Sequence, residues 1–168
     1  MNTTIIKAPR VGAYWEGEGG LNSGIFTPRD GSEPRILIVD LVQMLQRKRW
    51  GKTGNVAGAT NLFDGAANTR AILEADPDNE IAKHATSLDI DGHRDFFWPS
   101  IFELTHLFVT VGDKILEALD GYGAWSATQH PDHPSNACVQ GFDDGGQVWG
   151  HKDYEFGAVA VRSKSLNH

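Results

Sequence analysis

Nineteen of the 168 residues are glycine, and most gather in three clusters, around residues 17–24, 51–65 and 141–150. An average chain carries about 7% glycine. Glycine enters turns with positive φ at no steric cost and weakens helix and strand interiors. A chain punctuated in this way folds into short strands, tight turns and irregular loops, with few helices. Its apolar fraction of 40% and its mixed charges mark a globular chain. Its length suits one domain that buries a core without metals or disulfides.

Fifteen basic against 22 acidic side chains leave a net charge of −7. Binding to nucleic-acid phosphates is driven by Lys and Arg, so the acidic balance disfavours that class of partner. Arg47-Lys48-Arg49 is the one dense basic run and reads as a solvated face. Cys138 is the single cysteine, which excludes an intrachain disulfide and a four-cysteine zinc site. No apolar run approaches the ~18 residues of a membrane span, so no membrane insertion is expected. Met1 to Ile6, followed by Lys7 and Pro9, lacks the apolar core of a secretory signal, and the expectation is synthesis in a cytoplasm.

Residues 1–12 read as an N-terminal arm and residues 13–168 as a single domain. Arg35 to Val42, rich in β-branched residues, reads as a buried strand inside an opening β-meander. Residues 50–65 read as a loop. Ala66–Ala75 and a segment capped by Asp78 read as short helices, the second placing Ile81, Ala82, Ala85 and Leu88 on one face. Ser100 and Glu103 fit a capping box. Ile101, Leu104, Leu107, Phe108 and Val111 continue it as an apolar stripe, with Gly112 as its stop and Asp113 capping a further short helix through Leu119. Ala124–Gln129, Ala137–Phe142, Gln147–His151 and Ala158–Arg162 read as strands, and Asp143-Asp144-Gly145-Gly146 as a hairpin turn.

No motif assembles catalytic chemistry. Gly51-Lys52-Thr53 resembles the end of a phosphate loop, but Gln46 stands where the first glycine is needed. Asp89, Asp91 and Asp95 have the density of a calcium loop without its glycine spacing, and a tight turn is the better reading. His130, His133 and Cys138, with His151 across the hairpin, are conceivable zinc ligands. Their spacing matches no zinc motif, and a solvated His/Pro loop is favoured. There is no Gly-x-Ser-x-Gly elbow. Cys138 reads as a small buried thiol and Ser126 as a strand residue. The expectation is a binding or structural domain, with no catalytic residue, metal or cofactor.

The candidate binding surface surrounds the last hairpin. His130, Asp132, His133 and Asn136 lie in the loop before it, and Trp149, His151 and Tyr154 lie on it or just after. Aromatic faces flanked by polar groups suit sugars or protein surfaces.

Three stretches resemble the Lcl C-terminal domain family, whose members have C-type-lectin-like folds. The first is Tyr14-Trp15-x-Gly17-x-Gly19-Gly20-Leu21-x-x-Gly24-Ile25-Phe26. The second is Asp91-Gly92-His93-Arg94-Asp95-Phe96 with Pro99-Ser100-x-x-Glu103-Leu104. The third is Trp125-Ser126-x-Thr128-Gln129, Phe142-x-Asp144-Gly145-x-Gln147, Tyr154-Glu155 and Ala160-Val161-Arg162. Together they span about residues 14–162. Two positions depart from the pattern: Trp98 stands where the family has leucine, and an arginine near Gly157–Val159 is missing.

The resemblance implies an α+β, C-type-lectin-like fold of twisted antiparallel sheets, two to three short helices and long Gly-rich loops. It makes Trp15 and Trp125 framework residues. The short, Gly-rich form is similar to proteins of tailed phages, whose lectin-like domains end fibres or adhesins and in some cases vary at the C-terminal hairpin. The implied function is a virion protein that binds a host-surface receptor, glycan or protein, through residues 130–136 and 148–157. A homo-oligomer is expected, a trimer favoured, with the arm contacting other virion proteins. A structural capsid or tail decoration protein is the alternative. A cysteine-modifying or metal-dependent enzyme is more remote, because Cys138 stands alone.

Overall fold

The computed structural model describes residues 7–167. Among them the chain forms β1 (Tyr14–Trp15), β2 (Gly20–Phe26), β3 (Arg35–Arg49), α1 (Gly65–Ala75), α2 (Glu80–Ser87), α3 (Ile101–Ala118), β4 (Gly123–Gln129), β5 (Asn136–Gly141), β6 (Gln147–His151) and β7 (Glu155–Ser165). The strands make one seven-stranded sheet in the order β1-β2-β3-β7-β4-β5-β6. All neighbours are antiparallel except β4 and β7, which run parallel and meet at Ala124 and Gly157. The architecture is mixed α+β.

Successive strand residues point to opposite faces, and β7 shows how both faces are used. Ala158 and Ala160 join a core with Trp50, Trp98, Trp125, Ala137 and Val139, closed by Ile72 of α1 and by Ile81, Ala82 and Ala85 of α2. Val159 and Val161 join a second core with Val39, Ala124 and Phe142, closed by Leu104, Leu107, Val111 and Ile115 of α3. The sheet therefore lies between α3 on one side and α1, α2 and the 50–64 loop on the other. Three indoles cross-link the first core. Trp50 Nε1 donates to Ser126 O, Trp98 Nε1 to Trp125 O and Trp125 Nε1 to Lys48 O, each at 2.8 Å. A buried N–H left unpaired costs about 1–3 kcal/mol, so these bonds fix how the rings seat. Trp15 is also buried.

The capping box at Ser100 and Glu103 forms as the spacing predicts, and Glu103 does more than cap. Its fully buried carboxylate accepts from Ser100 N at 2.8 Å, from Gly65 N at 2.9 Å and from Arg35 Nη2 at 2.7 Å. Two helix starts and a strand thus meet on one side chain. Burial pushes its pKa up, against the pull of Arg35 and Ser100. Gly65 is obligatory here, since a Cβ would lie 2.5 Å from Glu103 Oε2, Ser100 N and Trp98 O.

Several boundaries differ from expectation. Helix α2 is capped by Asn79, not Asp78. The Asn79 carbonyl accepts from Ala82 N while its amide donates to Trp50 O, a tertiary bond that Asp78 cannot make. The break expected at Gly112 appears one residue earlier, as a kink at Val111 (φ −137°, ψ 20°), and the further helix expected through Leu119 follows it, so that α3 spans both to Ala118. Strand β3 continues seven residues past Val42, to Arg49. Asp40 accepts from Val42 N and Gln43 N, which bulges the strand, and Arg47 takes a positive φ of 48°.

Residues 1–6 of the expected arm lie outside the described residues. The rest of it is held against β2: Gly12 N donates to Asn22 O, and Asn22 Nδ2 to Pro9 O.

Candidate functional site

Strands β4, β5 and β6 form two successive hairpins at one end of the sheet. The loop between β4 and β5 is closed by His130 N to Asn136 O and by Asn136 N to His133 O, both 2.9 Å. Inside it, His130 Nδ1 accepts from Asp132 N at 3.0 Å and His133 N at 3.1 Å. The ring's proton therefore sits on Nε2. The same device recurs at the end of β6, where His151 Nδ1 accepts from Asp153 N at 3.2 Å. Both are His-x-Asp segments, and in each the imidazole folds the turn behind it.

The register of β5 on β6 pairs Asn136 with His151, Cys138 with Trp149 and Gln140 with Gln147. Directly paired side chains share a face, so these six project toward the α3 side of the sheet. Helix α3 covers the Gln140–Gln147 end, where Gln147 Nε2 donates to Thr105 Oγ1 at 2.7 Å. Toward the other end Trp149 is left 43% exposed. The His130 ring lies 4.3 Å from the Trp149 ring, and the His133 ring 4.6 Å from His130. Tyr154, 61% exposed, lies 6.1 Å from His151.

Six of the seven residues singled out by sequence thus form one continuous surface: His133, His130 and Trp149 in a column, then Asn136, His151 and Tyr154. Asp132 is exposed at its rim. No described residue accepts from Trp149 Nε1, His130 Nε2–H or Tyr154 Oη, and Trp149 and Tyr154 are exposed.

The metal readings find no geometry. Among the described residues no group of three or more His, Cys, Asp or Glu side chains is placed to hold an ion. Asp91 accepts from Tyr14 Oη at 2.8 Å and Gly19 N at 3.1 Å, Asp95 binds Arg162, and Asp89 binds Arg94. Asp91 and Gly92 form a turn with φ of 53° and 82°. The Asp89–Asp95 segment is a tie between β1, β2 and β7. Glu18 completes it by accepting from Arg162 and Lys164, each at 2.7 Å. The Cys138 thiol is buried, which pushes its pKa up to about 12 and leaves it without the thiolate that a nucleophile needs. Lys52 of Gly51-Lys52-Thr53 pairs with Asp76.

One residue was missed. The sequence does not single out Lys152, yet it is fully buried. Its Nζ donates to Gln129 Oε1 at 2.7 Å and Gly54 O at 2.9 Å and stands 4.1 Å from the Trp50 ring centroid. Among the described residues no carboxylate pairs with it, and burial lowers its pKa to about 8. Lys152 N also donates to Ser135 O at 2.8 Å. This lysine ties the 50–64 loop to the two hairpins of β4, β5 and β6. Its partners lie far away in sequence, so no local pattern signals it.

No protein-family model matches the chain, and no curated protein matches it in sequence.

Proposed function

We propose that the chain is a phage virion protein, at a tail-fibre tip or surface adhesin, that binds a host-surface receptor without catalysis. The observation that carries this reading is the His133–His130–Trp149 column. Its ends, His133 and Trp149, are exposed, its middle, His130, is partly so, and backbone N–H groups on His130 Nδ1 hold it in place. A preformed surface loses little entropy on binding. Asn136, His151 and Tyr154 extend it, with Asp132 at the rim.

We read the architecture as C-type-lectin-like and the chain as a short, phage-type relative of the Lcl C-terminal domain family. The resemblance across residues 14–162 supports this. So does the layout, in which the first long strand and the last pair antiparallel, with the helices and a pair of binding hairpins between them. Weak single sites gain strength by multivalency, so the proposed assembly is a homotrimer anchored through the N-terminal arm.

The experiment is competition with infection. Purified protein should bind host cells and block phage adsorption, and the Trp149→Ala, His151→Ala, Tyr154→Ala triple variant should do neither. Unchanged blocking by a folded triple variant contradicts the proposal.

A second reading, a structural decoration protein, is favoured by one feature. An open cleft of about 520 Å³ is lined by Ala8, Val11, Ile25, Ile36 and Leu166 beside the arm. A virion map with this cleft and the hairpins packed on neighbouring subunits would support it over receptor binding.

A further inference from the structure

We infer that the part of the receptor recognised at the hairpins is an uncharged glycan, one sugar ring of which lies on the exposed Trp149 indole. This rests on the receptor-binding reading above and narrows its ligand class. Three observations carry it.

The first is charge. Between His130 and Phe156 the chain holds Asp132, Asp143, Asp144, Asp153 and Glu155, all exposed. The one Lys or Arg in that stretch is Lys152, which is fully buried and committed to Gln129, Gly54 and Trp50. No ammonium or guanidinium of the hairpins is therefore open to a carboxylate, sulfate or phosphate on a ligand. The carboxylates would repel such groups over about 8–10 Å at ordinary ionic strength.

The second is the chemistry of the open groups. Trp149 offers a flat apolar face beside an indole N–H, His130 offers an Nε2–H whose tautomer is fixed by its Nδ1 acceptance, and Tyr154 offers a hydroxyl. Sugar hydroxyls accept from such donors, and a pyranose ring presents a C–H face to an aromatic one. Asn136 adds an amide on the same sheet face.

The third is shape. The column stands at the free end of β6, the edge strand, and α3 covers only the Gln147 end. An extended oligosaccharide can lie along this edge.

The test is an array of immobilised oligosaccharides read with the labelled full chain. Uncharged oligomers of glucose, galactose and N-acetylglucosamine stand beside sialylated, uronate-bearing and phosphate-bearing ones. Binding is expected on uncharged glycans alone and should change less than twofold between low and high salt. Trp149→Ala should lower it at least tenfold, and Trp149→Phe should restore part of the loss, with circular dichroism confirming both variants folded. Preferential binding to acidic glycans, or to no uncharged glycan, overturns the inference. Cell binding that survives periodate oxidation of surface sugars but is lost with the triple variant overturns the glycan alone and leaves receptor binding standing. Loss of all cell binding by the wild type removes both.

Discussion

Lys152 brings a positive charge into the interior with no carboxylate of the described residues paired to it. Two oxygens and the Trp50 ring satisfy its three N–H groups, but water is gone, and its pKa falls from 10.5 to about 8. Between about pH 8 and 10.5 the unfolded chain keeps this proton and the folded chain has released it, so stability rises with pH. Cys138 opposes it from pH 9 upward. Its thiol stays protonated to about 12 when folded but ionises near 9.0 when unfolded. The window owed to Lys152 is therefore pH 8 to 9, with a gain of about 1 kcal/mol. Urea unfolding across that window should show the rise, and Lys152→Met should abolish it. Equal slopes in the two proteins would contradict the assignment.

At the scale of elements, the junction at Glu103 predicts the largest single effect. Glu103→Ala strands the half-buried Arg35 and orphans the N–H groups of Gly65 and Ser100. Breaking a buried pair from one side costs about 3–5 kcal/mol, which thermal or urea unfolding will read. Gly65→Ala should cost about 1–3 kcal/mol by overpacking the same point. Much of this level was legible in the sequence. The capping box, the apolar stripe of α3 and the alternation of β7 are local patterns, and local bonding makes them. Two misplaced boundaries have different causes, one distant and one local. Asn79 wins the α2 cap because it also holds Trp50 O, and β3 runs on because Asp40 builds a bulge that hides the alternation. The candidate residues could be grouped from sequence because they cluster around two adjacent hairpins. Lys152 was hidden because Trp50, Gly54 and Gln129 come from other segments.

At the scale of the molecule, the sheet buries core residues on both faces, while at its β5–β6 end the His133–His130–Trp149 column stays open. The helices stabilise, the Gly-rich loops connect, and the uncovered end presents side chains that the core does not use. Replacing His130 with Ala removes the acceptor for two backbone N–H groups and the ring against Trp149, so it should weaken receptor binding severalfold with under about 1.5 kcal/mol lost in stability. Calorimetric unfolding beside a cell-binding titration separates the two effects. The measurement that bears most directly on the whole account is flow cytometry of bacterial cells with the labelled wild type and the Trp149→Ala, His151→Ala, Tyr154→Ala variant at matched thermal stability. The account predicts cell labelling by the wild type that unlabelled wild type displaces, and none by the variant. Equal labelling by both would contradict it.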